Sequence, residues 1–271
     1  MMRRVWIAAV MLVVLMGTAG AAGEVMFAYK FEPGKAQRYR LKLDTRMEMS
    51  GMEVSQMADM TVAVTCASHD KGVYTMNLVF EKVDASNVLA GNKSTDPNAA
   101  GMVGKSVIFT VDEHGAVSGI TPGPGFDSWT TVQQVVEPTL KSWYVYMPAS
   151  KVALGGKWER EGYRDKAFSG TEYVTTELFT FRANGKEKGR DVALVDHNVT
   201  TTVGGTSESP YGTYKLAGSG TGKFEFAYHP ATRTITRLTG DMETKIDMTP
   251  KTGGDTMKTT IANHIERELL E

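Results

Sequence analysis

The stretch AQRYRLKLDTRMEMSGMEVSQMADMTVAVTC, Ala36 to Cys66, decides the fold. Apolar and polar residues alternate along it with a period of two, the pattern of a half-buried antiparallel strand pair. A two-residue turn at Gly51-Met52 sets Met49 opposite Val54, Leu43 opposite Met60, Leu41 opposite Val62 and Tyr39 opposite Val64. One face then carries Tyr39, Leu41, Leu43, Met47 and Met49 with Val54, Ala58, Met60, Val62, Val64 and Cys66. The other carries Arg38, Arg40, Lys42, Asp44, Arg46 and Glu48 against Glu53, Ser55, Asp59, Thr61 and Thr65. A lone two-stranded ribbon is marginal in water, so more strands have to cover the apolar face.

Working outward, Phe27, Tyr29 and Phe31 alternate with Ala28 and Lys30 as a first strand, and Pro33-Gly34 turns it into the ribbon. Tyr74, Met76, Leu78 and Phe80 line one face of a strand after the ribbon, and Gly91 to Gly101 reads as a polar loop. A hairpin follows around Asp112 to Gly115. Ser128 then caps a helical segment in which Trp129, Val132, Val135 and Val136 share a face; Pro138 is expected to break it, with Leu140 and Trp143 in a second short helical turn. Strands from Thr171 to Arg182 and Arg190 to Val203 are joined near Asn184-Gly185. The C-terminal end is a second long ribbon, with Leu238, Met242, Ile246 and Met248 on one face and Met257, Ile261, Ile265 and Leu269 on the matching one.

The expected fold is all-β and mainly antiparallel: a long twisted sheet or half-barrel from two related halves, with a short helical segment between them. Residues 1–21 read as a signal peptide, 22–125 as the first β half, 126–147 as the helical connector and 148–271 as the second β half, the halves forming one compact domain. Phe31-Glu32-Pro33-Gly34 is echoed by Leu154-Gly155-Gly156-Lys157-Trp158, which suggests a degenerate internal duplication. Arg3 and Arg4, an apolar run from Val5 to Met16 and the Ala19-x-Ala21 pattern predict export and cleavage after Ala21. Cys66 is the one cysteine of the chain, which excludes an internal disulfide and a lipid anchor beside the cleavage site. Its place on the apolar face predicts a small buried hydrophobe.

The phrases Pro33-Gly34 before Tyr39, the methionine-rich ribbon, Val103-Gly104-Lys105, and Pro148 followed by Val152, Gly155 and Trp158 resemble an uncharacterised family of exported bacterial β-rich domains of unknown function. The resemblance covers nearly the whole chain after the signal and implies no activity. The general shape is also similar to periplasmic lipoprotein carriers built as an open half-barrel with a helical plug, a likeness of fold alone.

The chemistry of the sequence points away from catalysis. There is no G-x-S-x-G elbow, and His69, His114, His197, His229 and His264 are dispersed without H-E-x-x-H. Gly218, Gly220, Gly222 and Lys223 imitate a phosphate loop, but Ala217 and Phe224 replace its first glycine and its Ser/Thr, so a glycine-softened loop entering a strand is the better reading. Asp44 opposite Asp59 is a pair of solvated neighbours beside Lys42 and Arg46. Without Arg3 and Arg4 the chain has 28 basic against 31 acidic residues, a balance that argues against a nucleic-acid partner.

The expected function is therefore that of an exported, non-catalytic envelope binding or interaction module with no cofactor and no nucleic-acid partner. One alternative is a carrier of a lipophilic ligand or hydrophobic polypeptide, with Tyr39, Leu41, Leu43, Met47, Met49, Met60, Val62 and Val64 as the ligand-facing surface. The other is a methionine-based copper-binding protein, since thioethers hold Cu(I); alternation points Met47, Met49 and Met60 to one face and Met57 to the other, with Met52 in the turn. An outer-membrane barrel would alternate too, but Thr45 and Gln56 interrupt its lipid face. Titration with Cu(I) under reducing conditions is expected to give no tight one-to-one site. A tight site abolished by Met47→Leu with Met49→Leu would establish the copper reading instead.

Overall fold

The computed structural model describes residues 23–89, 91–96, 99, 101–126, 129–166, 170–209 and 212–270, leaving aside the side chains of 129–135, 166, 208 and 209. The signal peptide, Ser128 and the side chains of Trp129, Val132 and Val135 lie outside the described residues. Among the described residues twelve strands and the helix α1 follow in the order β1 (Ala36–Met49), β2 (Met52–Asp70), β3 (Val73–Leu89), β4 (Asn92–Thr95), β5 (Ser106–Asp112), β6 (Val117–Pro122), α1 (Trp129–Trp143), β7 (Lys157–Lys166), β8 (Thr171–Glu187), β9 (Arg190–Ser209), β10 (Gly212–His229), β11 (Thr234–Pro250) and β12 (Met257–Leu269). They build one antiparallel sheet in the order β6-β5-β3-β2-β1-β12-β11-β10-β9-β8-β7, with β4 paired to β3. The ends β6 and β7 do not pair, so the sheet is open and not a barrel. Among the described residues no helix is long and apolar enough to cross a membrane.

The opening ribbon forms with its faces as read, but its register differs by two residues. Met49 pairs with Met52, Leu43 with Ala58, Leu41 with Met60 and Tyr39 with Val62. The turn is Ser50-Gly51, both at positive φ, because a type I′ hairpin takes glycine at its second central position and Gly51-Met52 would force Met52 into the left-handed region. A shift of two preserves every side chain's face and changes only its partner. Asp59 therefore faces Lys42 and not Asp44, and Arg40 grips its carboxylate, with Nε 2.9 Å from Oδ1. The same turn chemistry corrects the hairpin placed at Asn184-Gly185: β8 runs on to Glu187 and turns at Lys188-Gly189.

The inner face is covered at one end by a plug. Phe27, Ala28, Tyr29 and Phe31 are all buried, so this segment is not the first strand of the sheet but an extended chain lying across it. Its backbone bonds go to side chains and loops: the Ala28 N–H donates to the Tyr228 hydroxyl at 3.1 Å and the Tyr29 N–H to the Glu113 carbonyl at 2.8 Å. Phe27 packs 5.0 Å from Trp158 and 5.0 Å from Tyr228, and Phe31 meets Tyr74 edge-on at 5.1 Å. Helix α1 passes through Pro138 without breaking. Pro138 is exposed, while Val136, Leu140 and Trp143 on either side are buried, so packing holds both halves of the helix in line. The segment after Gly91, expected as a loop, folds back as β4 from Asn92 to Thr95, because β3 leaves its edge unpaired at that end.

Beyond the plug the sheet coils on itself. Gly218 and Gly240 point inward in β10 and β11, where a Cβ would strike the Lys245 carbonyl and the Phe224 backbone respectively. Their absence of side chains lets the strands curl tightly, which corrects the reading of Gly218 to Gly222 as a loop: they lie in mid-strand. The curl buries Val203, Leu216 and Ile246 against Tyr173, Tyr214, Met248 and Ile261 without help from the helix.

Leu41 is fully buried on the inner face, and Lys42 is exposed on the outer one, 2.7 Å from Glu266. Leu41→Asp is expected to cost about 3–5 kcal/mol by chemical denaturation, and Lys42→Asp about 1 kcal/mol. Equal losses would overturn the assignment of faces.

Candidate functional site

The strand parities place a continuous inner surface beyond the plug. On β1 and β2 it holds Leu43, Met47, Met49, Met60, Val54 and Met52. Next to it β12 and β11 present Ile265, Ile261, Met257, Met242 and Met248. Exposure rises along this surface away from the helix. Leu41, Val62 and Val64 are at 0–1 %, Leu43, Met47 and Met49 are half-buried, and Val54 and Met52 reach 38 % and 58 %. The sequence-derived surface is thus split: Tyr39, Leu41, Val62 and Val64 pack in the core, and Leu43, Met47, Met49 and Met60 lie on its half-exposed continuation.

Methionine dominates the exposed part. Met47, Met49, Met52, Met60, Met242, Met248 and Met257 all point inward, from four adjacent strands. Met52 sits directly opposite Met49 and not in the turn, as the two-residue register change requires. Met57 points outward, as expected from the alternation. Unbranched thioether side chains rearrange at little cost, so such a wall adapts its shape to what it contacts.

Besides uncharged polar side chains such as Thr45, Gln56, Asn263 and Thr244, two groups with charged side chains lie on the inner face, and neither was singled out from the sequence. On β7, β8 and β9 the His197 Nε2 lies 3.1 Å from Glu177 Oε1, and Arg160 approaches Glu177 Oε2 at 3.4 Å. His197 stacks on Phe179 at 4.3 Å, and the Arg160 guanidinium covers the Tyr163 ring at 3.5 Å. Burial works against the charge of Glu177, yet the hydrogen bond and charge of His197 together with Arg160 outweigh it and hold the carboxyl below its ordinary value. Arg160 and His197 both engage the Glu177 carboxylate and so tie β7, β8 and β9 together, while the other ring nitrogen of His197, Nδ1, is buried without a partner. The second group is Arg267 of β12, buried between Ile265 and Leu269, which donates to the carbonyl of Trp143 at the end of α1. Both residues had a sequence signal: each is a charged or titratable residue at an inward position of an alternating strand.

The outer face offers less. One depression on it, of about 280 Å³, is lined by Arg40, Lys42, Arg237, Glu266 and Glu268. These cations are matched already, Lys42 to Glu266 and Arg237 to Glu187 and Glu225. Among the described residues no group of three or more His, Cys, Asp or Glu side chains could hold a metal ion. Cys66 is buried as expected, and its burial pushes the thiol above the usual range.

Fold and surface together define an open, coiled antiparallel sheet plugged at one end, with a mainly apolar, methionine-rich strip on the inner face of β2, β1, β12 and β11 beyond the plug. No family model and no curated protein matches the chain. A solved structure described as "lipid-protein interactions in lipovitellin" is similar over 89 % of this chain, with a TM-score of 0.56 at 13 % identity. The chain spans 26 % of that protein's length, and the likeness is one of fold. The translocator domain of the autotransporter NalP from Neisseria meningitidis aligns over 88 % of this chain and 89 % of its own at 8 % identity, but its TM-score of 0.22 carries no argument.

Because the folded Glu177 carboxyl titrates below its ordinary value of 4.5, its contribution to stability is present above that value and disappears as pH falls through the folded one. Glu177→Gln is expected to lower stability by about 1–3 kcal/mol at pH 7, with the gap to wild type closing below pH 4.5. Denaturation curves across that range check it; a gap that does not change with pH would contradict it.

Proposed function

We propose that the protein is an exported, non-catalytic binding module that takes a lipophilic ligand on the unplugged part of its inner face. The observation that carries this reading is the half-exposed, methionine-rich surface running from Leu43 to Met52 on β1 and β2 and continuing through Ile261, Met248 and Met257. A contiguous run of apolar side chains left facing water marks an interaction site. The fold likeness to a protein whose structure is described by its lipid interactions supports the same reading. Export rests on the N-terminal signal pattern, and the non-catalytic role on the lack of a hydrolase, zinc or nucleotide motif.

A hydrophobic polypeptide segment is the second reading, favoured by the adaptability of methionine, which suits varied side chains. Protein purified natively from its own envelope is expected to carry lipid visible by mass spectrometry after extraction. The native form is also expected to take up a hydrophobic fluorescent probe that long-chain amphiphiles displace. Met47→Lys with Met49→Lys, successive inward positions on β1, is expected to weaken probe binding at least about tenfold with the fold intact. Co-purifying peptide in place of lipid would establish the second reading. Protein free of both, binding probe only on unfolding, would overturn the proposal.

A further inference from the structure

Arg267 is 5 % exposed, and its neighbours in register are Leu41 of β1 and Leu238 of β11, both buried. One terminal nitrogen donates to the Trp143 carbonyl, and the guanidinium carbon sits 5.5 Å from the Tyr39 ring. Its Nε is buried without an acceptor, and so is the indole Nε1 of Trp143, the residue it touches. The adjacent acids do not compensate it: Glu266 and Glu268 pair with Lys42 and Lys188. Among the described residues no carboxylate lies within ion-pair distance of Arg267. The phenols that feel its charge supply no anion either, since burial holds Tyr29, Tyr39 and Tyr144 protonated, Tyr39 pushed up to about 12.

The carbonyl end of α1 carries a partial negative charge and accounts for part of this cation's stability. It uses one of the five N–H donors of a planar fork. Two orphaned donors and an uncompensated charge, set where the packed core meets the open face, are the complement of a small planar anion.

Resting on the lipophile reading above, we infer that the ligand is a long-chain monocarboxylate whose head lies against Arg267 and whose tail runs along β1 and β12. From Arg267 the inner face continues through Ile265 and Leu43, past the Thr45–Asn263 hydrogen bond, to Ile261 and Met47 and then Met49. The eight residues to Thr259 span about 26 Å, long enough for an acyl chain of about sixteen carbons. A phospholipid head would bring further charged or polar groups. The other described arginine on the inner face is Arg160, five strands away in the sheet and paired with Glu177.

The experiment measures displacement of a fluorescent probe from the folded full chain by palmitate, by its uncharged alcohol hexadecanol and by lysophosphatidate. Wild type is expected to prefer palmitate to hexadecanol at least about tenfold. Arg267→Met is expected to lose that preference while still binding hexadecanol, and Arg267→Lys to keep part of it. Equal binding of palmitate and hexadecanol by wild type would overturn the inference and leave the lipophile reading standing. Tighter binding of lysophosphatidate would replace the carboxylate by a phosphate head, and binding of none of the three would overturn both readings. Should Arg267→Met fail to fold, the wild-type complex with carboxyl-labelled palmitate decides by carbon-13 resonance. An ion-paired head titrates below free palmitate, and an unchanged titration contradicts the inference.

Discussion

An apolar sheet face has to be removed from water, and the amount of chain able to cover it sets the shape of this molecule. Strands of up to 20 residues present an inner face far longer than the 15-residue helix α1. The plug of α1 and the Phe27–Phe31 segment seals one end, where side chains such as Phe109, Phe179, Phe226 and Leu41 are fully buried. Past it the sheet has only its own curvature. Inward glycines on β10 and β11 let that curvature bury Val203, Leu216 and Ile246, but the β1–β2 side stays half open. The open strip follows from the mismatch between strand length and plug.

The outer face holds the strands in register. Arg40 with Asp59, Lys42 with Glu266, and Arg237 with Glu187 and Glu225 bridge neighbouring strands. Each exposed pair is worth little alone, but like charges at those cross-strand positions would oppose the pairing. The charge pattern therefore selects the partner that the apolar pattern leaves open to slippage by two residues. The β1–β12 contact joins the two ends of the described chain at the centre of the sheet, so the open strip and the buried Arg267 are shared between segments remote in sequence.

This division also explains what the sequence made legible. Period-two alternation assigned faces correctly in both ribbons, from Tyr39 to Cys66 and from Leu238 to Leu269, because a face depends on parity alone. Partners depend on the turn, and reading Gly51-Met52 for Ser50-Gly51 misplaced Asp44 against Asp59. Phe27 to Phe31 was misread as a strand because its alternation is genuine, while burial of Ala28 along with Phe27, Tyr29 and Phe31, visible only in three dimensions, makes it a plug. Arg267 was passed over although Ile265 and Leu269 share its parity and mark it as inward, because the apolar residues around it are spaced by four and a single charge in a strand is read as solvent-facing. Its partner, the Trp143 carbonyl, is a backbone atom that no sequence pattern marks.

The central claim is that the methionine-lined strip is open in the folded protein and takes a lipophile. Residue-resolved methionine oxidation by dilute peroxide tests it most directly. Met47, Met49, Met52, Met248 and Met257 are expected to oxidise much faster than the core residues Met76 and Met147, which are at 1 % and 0 % exposure. An added long-chain amphiphile should protect the first group and leave outward Met57, at 38 %, unchanged. Oxidation of the strip as slow as that of Met76 and Met147 without ligand, or protection of Met57 equal to that of Met49 with it, would contradict the account.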